Sequence, residues 1–172
     1  LCGPVSTRAG KPGAEPKVSD MSHLLKLVYE ASELRRQYAG IHEEMFGFSM
    51  RRILRLGQRG EPECRARMRR LEELSQELAG MLQQLAELQE CDLTKRRGHD
   101  ICTALGEYTK ALSASVALLK TICQRLAREQ KGVDGWRNYT ATEFRQDRIT
   151  YDDAIQHHKR LGKRLQELLS TF

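Results

Sequence analysis

The chain has few aromatic side chains, little proline and no long apolar run. Aromatics make up 6% of its 172 residues, with one Trp. So few rings argue against a thick sheet sandwich or a ring-lined cofactor pocket. The longest apolar run, Val116 to Leu119, is four residues. A membrane-spanning helix needs about 20, so none is expected. The first 20 residues also lack the apolar core of about 7 to 15 residues that marks a signal peptide. Because the chain begins at Leu1 without an initiator Met, it reads as a fragment or a processed product.

Cysteine is sparse and unevenly placed. Cys2, Cys64, Cys91, Cys102 and Cys123 are odd in number and scattered, which excludes a dense disulfide framework. Reduced thiols point to the cytoplasm, with the nucleus or a cytoskeletal association as alternatives. Reaction signatures are also absent. There is no glycine-rich phosphate loop with a Lys, no G-x-S-x-G elbow, no H-E-x-x-H and no G-x-G-x-x-G. No enzyme activity, cofactor or small-molecule substrate is expected.

What the sequence does hold is charge and helical periodicity. Charged residues make up 30% of the chain, and Ala, Leu, Glu, Gln, Lys and Arg dominate it. That composition predicts an all-α fold of elongated antiparallel hairpins, a four-helix bundle with coiled-coil character. Residues 1–18 carry three of the four prolines and no periodicity, so they read as a flexible leader. Residues 19–172 read as one helical domain.

Ser19 and Asp20 suit an N-cap, and Leu24, Val28, Ala31, Leu34, Tyr38, Ile41, Met45 and Phe48 then recur at helical spacing. Gly40 and Gly47 in that helix are candidates for a bend or a close crossing. Pro62 suits the start of a second helix. Its stripe runs Cys64, Met68, Leu71, Leu74, Leu78, Met81, Leu85, Leu88. From Leu71 the steps alternate between three and four, the spacing that keeps a seam against a neighbouring helix. The six residues Leu71 to Leu88 are therefore the candidate partner-binding seam. Arg96, Arg97 and Gly98 resemble a helix end, with Asp100 capping the next helix. A turn there is favoured over one continuous helix.

A third stripe follows: Ile101, Leu105, Tyr108, Leu112, Val116, Leu119, Ile122, Leu126. Thr140 and Glu143 then form a capping box that opens a fourth helix. Its stripe is Phe144, Arg148, Tyr151, Ile155, His158, Leu161 or Gly162, Leu165, Leu168. Each helix spans about 30 residues, or about 45 Å.

The strongest charge feature is a basic corner holding Arg51, Arg52, Arg55, Arg59, Arg65, Arg67, Arg69 and Arg70. Against Glu61 and Glu63 it nets +6, equal to the formal charge of the whole chain. Clustered guanidinium groups can grip phosphates or carboxylates bidentately, so an acidic partner is an option there. The second helix begins basic and is acidic from Leu71 onward, opposite to the dipole preference, and that polarity suits an antiparallel neighbour. His157 and His158 with Asp152 and Asp153 supply too few ligands for a zinc site. His158 lies on the apolar stripe and reads as a hydrogen-bonded core residue.

The expected function is a non-enzymatic adaptor or scaffold subunit that binds partner helices through its seams, with self-association as one form of that. The alternative is a helical dimer that binds acidic membrane or nucleic acid through the Arg corner.

Overall fold

A computed structural model describes residues 18–47, 61–90, 96–130 and 141–171. These residues form an all-α four-helix bundle: α1 (Val18–Phe46), α2 (Glu61–Glu90), α3 (Arg96–Gln130) and α4 (Ala141–Ser170). The leader assigned to residues 1–18 falls outside them, apart from the first residue of α1.

Contacting side chains fix the helix directions. Glu44 of α1 meets Arg70 of α2 while His23 meets Gln84, so α1 and α2 run oppositely. Thr109 contacts Met81 and Lys120 pairs with Glu72, which sets α3 against α2 in the same way. Arg97 bonds Thr171 and Arg125 pairs with Asp147, so α4 runs back along α3.

The helix that holds the bundle together is α3. Ile101, Leu105, Leu112, Val116 and Leu119 are fully buried on its expected stripe, but Ala104, Gly106, Thr109, Ala111 and Ser115 are buried as well. Ala104, Thr109, Ala111 and Ser115 are small enough to be enclosed between neighbouring helices on more than one side, whereas a Cβ on Gly106 would meet nothing within 4 Å. Thr109 and Ser115 return their hydroxyls to the carbonyls of Leu105 and Ala111 one turn back, so burial leaves neither unpaired.

Three sequence expectations change. Arg96, Arg97 and Gly98 belong to the first turn of α3, not to the end of α2. Gly98 is buried, while Arg97 bonds across to α4. Of the stretch 92–100 expected to turn, residues 96–100 are helical and residues 92–95 lie outside the described residues. A Cβ on Gly40 would meet nothing within 4 Å, so that glycine marks no close crossing. At Gly47 a Cβ would lie 2.5 Å from the Glu43 carbonyl oxygen, the same oxygen that accepts the Gly47 N–H at 2.7 Å.

Candidate functional site

The candidate seam lies inside the chain. Leu71, Leu74, Leu78, Met81, Leu85 and Leu88 are at most 5% exposed, packed in one core with α1 and α3. Each such side chain contributes about 1.5 to 3 kcal/mol by leaving water. While the fold is intact, no other chain reaches them.

The basic corner divides. Arg51, Arg52, Arg55 and Arg59 lie outside the described residues. Arg70 holds both carboxylate oxygens of Glu44, at 3.0 and 3.1 Å, and Arg67 approaches the same carboxylate at 3.6 Å. Those two arginines therefore tie α2 to α1. Exposed Arg65 and Arg69, with Lys120 and Glu72, line a cleft of about 600 Å³ between α2 and α3.

A polar and aromatic cluster links the upper half of α1 to α4. The Tyr38 and Tyr151 hydroxyls lie 2.6 Å apart, and His42 Nδ1 is 2.8 Å from the Tyr151 oxygen. Either tautomer of a neutral His42 allows an unbroken chain through these groups. Burial pushes the Tyr38 hydroxyl up to about 12 and the Tyr151 hydroxyl higher still, so both stay protonated. Burial also lowers His42, with Arg148 pressing the same way. The Arg148 guanidinium sits 3.8 Å from the centre of the Phe46 ring and closes the cluster against solvent.

About two turns along α4 from Tyr151, His158 is 4% exposed and its Nδ1 lies 3.0 Å from the Ser115 hydroxyl. Burial, then the charges of Lys159 and Arg35, holds its pKa down to about 4. Ser115 is itself fully buried, while His158 also reaches the lining of the groove between α1 and α4. The Cys102 thiol is pushed up by burial, which keeps it protonated rather than a thiolate. Among the described residues no three of His, Cys, Asp and Glu converge on a point that could hold a metal ion. Asp153 and His157 are both exposed.

Below the aromatic cluster, α1 and α4 leave a groove of about 320 Å³ open along one side. Its apolar lining includes Val28, Ala31, Tyr108, Leu165 and Leu169, with Tyr108 supplied by α3. Gly162 helps to set its depth. A Cβ there would lie 3.0 Å from Cε2 of Tyr108, so the missing side chain brings α4 close to α3. Arg35 stands on one wall, and Lys159 and Lys163 stand on the other. Among the described residues no carboxylate lines the groove.

Sequence reasoning did not find this groove. Its residues come from three helices, and Arg35 lies far from Lys159 and Lys163 along the chain. The available signal was Gly162 on an otherwise bulky stripe, flanked by Lys159 and Lys163 four residues apart.

No protein-family model matches the chain, and neither a curated protein nor a solved structure is similar to it.

Proposed function

We propose that this chain is a non-enzymatic helical adaptor, a subunit whose inner seams hold its own fold and whose outer surface receives a helix from a partner protein. The observation that carries this reading is the groove between α1 and α4. Its floor is Ala31, Tyr108 and Leu165, and Val28 and Leu169 stand half-buried at its edge. Inter-helix grooves of this kind accept the apolar face of another helix. The buried free thiol of Cys102 suits a reducing compartment, so the cytoplasm or nucleus is the proposed setting. Among the described residues no helix is long and apolar enough to cross a membrane.

Affinity capture with mass spectrometry, run in parallel on the wild type and on Ser32→Trp, tests this reading. Ser32 lines the groove and is exposed, so the indole obstructs the groove without entering the core. The adaptor reading expects a stoichiometric protein recovered with the wild type and lost with Ser32→Trp, at unchanged circular dichroism. Equal recovery with both proteins counts against the groove as the contact.

A second reading rests on the cleft of Arg65, Arg69 and Lys120. Arg65, Arg69 and Lys120 against one carboxylate, the Glu72 that pairs with Lys120, leave the opening net positive, which favours an acidic surface, membrane or nucleic acid, as the occupant. Reversal of Arg65 and Arg69 to Glu then abolishes salt-sensitive binding to anionic vesicles or oligonucleotides. Binding indifferent to that reversal removes this reading.

A further inference from the structure

We propose that the occupant of the α1–α4 groove is an acidic amphipathic helix, three turns long, whose carboxylates flank an apolar stripe and meet Arg35, Lys159 and Lys163. This rests on the adaptor reading and adds the partner's chemistry to it.

The charge of the rim selects the sign. All three charged residues lining the groove are cations, they come from both walls, and none has a carboxylate partner among the described residues. Elsewhere on this surface cations are commonly paired: Arg36 with Glu33, Arg70 with Glu44, Arg148 with Asp152, Arg164 with Glu107. Arg35 is exposed at the rim of the groove, and its charge is felt by Tyr108 and His158 in the lining. Unpaired cations beside an apolar floor repel a basic or neutral partner relative to an acidic one, which gives specificity as well as attraction.

The shape selects a helix. Along α4 the lining runs from His158 to Leu169, about 16 Å at 1.5 Å per residue. That length accommodates apolar anchors at i, i+4 and i+7, with flanking carboxylates in reach of Lys159 and Lys163, which are themselves four apart. The groove is open along one side, so an acyl chain lying in it stays partly wet, whereas a helix covers the opening with its own polar back. Among the described residues a second copy offers, as exposed large hydrophobics, the pair Leu25 and Tyr29 on α1 and the lone Ile149 on α4. Seating that pair in the groove is a head-to-tail contact, which propagates unless its rotation closes.

The test is a selection on the full chain from a displayed library of helices with fixed Leu anchors and with flanking positions varied among Glu, Gln and Lys. The winning peptide, and a copy with each Glu replaced by Lys, are then the fluorescent probes in anisotropy titrations. The expected result is enrichment of Glu at the flanks. Binding should weaken about tenfold or more in Lys159→Glu/Lys163→Glu and in high salt, and be lost in Ser32→Trp. Both variants change exposed positions and keep their helical circular dichroism.

Enrichment of Lys or Gln overturns the assigned charge. A selected helix that binds both variants as well as the wild type overturns the groove while leaving an adaptor that binds elsewhere. Failure to select any helix defeats both readings. Displacement of the peptide by phosphatidylserine vesicles assigns the groove to lipid, and a sedimentation mass above the monomer that disappears in Lys159→Glu/Lys163→Glu assigns it to a second copy. Either result replaces the proposal.

Discussion

The hydroxyls of Tyr38 and Tyr151 meet 2.6 Å apart inside the bundle and fasten the upper half of α1 to α4. Above the groove the two helices are locked by this cluster. Below it they stand apart, so one pair of helices supplies both a rigid clamp and an open channel.

Removing one hydroxyl tests the clamp. Tyr151→Phe takes away the partner of both Tyr38 and His42, at a cost of about 1 to 3 kcal/mol for buried polar groups left unpaired. Replacing both tyrosines by Phe costs less than the sum of the single changes, because no orphaned hydroxyl remains. Urea unfolding of the two single variants and the double variant gives the coupling, and strict additivity contradicts the link.

Acid should weaken the fold through His158. Its folded pKa of about 4 lies below the unfolded value of 6.5, so between those values the unfolded chain binds the proton and the folded chain does not. Stability is then full above pH 6.5 and falls as the pH drops toward 4. From pH 7.5 to pH 5 the loss from this one group is about 2 kcal/mol. His42 is shifted in the same direction and adds to the loss. Unfolding midpoints of the wild type and His158→Gln across this range give the test: the variant should show the shallower decline, and parallel curves contradict the assignment.

Leu78 is fully buried, so Leu78→Ala should cost about 2 to 5 kcal/mol and Leu78→Asp should prevent folding. Gln83 and Glu87, an exposed hydrogen-bonded pair on the same helix, should tolerate Ala within about 0.5 kcal/mol. Thermal melts separate these outcomes. A folded Leu78→Asp protein contradicts the internal seam.

Glycines offer a signed comparison. A Cβ on Gly80 or Gly106 meets nothing within 4 Å, so Ala at either should stabilise its helix by about 0.5 to 1 kcal/mol. At Gly162 the new methyl presses on Tyr108, so Gly162→Ala should gain less or lose stability. Equal gains at all three positions contradict the tight approach of α4 to α3.

The helices were legible in the sequence because their stripes obey a period that backbone geometry imposes. Leu71 to Leu88 stood out as a seam for that reason, and His158 on its stripe is indeed a buried, hydrogen-bonded residue. What periodicity does not encode is which helix a stripe faces. Heptad-like spacing suits a partner chain and α3 of the same chain equally well. The attachment of Arg67 and Arg70 to Glu44 was hidden for a related reason, since it joins residues more than 20 positions apart. The groove is legible only in three dimensions: it is defined by a separation between α1 and α4, and no stripe records a separation.

Site-specific photocrosslinking in cells addresses the central claim most directly. A photoreactive residue at Gln166, on the exposed rim of the groove, should crosslink to a partner protein, and Lys159→Glu/Lys163→Glu should remove that product. The same probe at exposed Gln76, on the outer face of α2, should give none. A product at Gln76 and none at Gln166 would contradict the account.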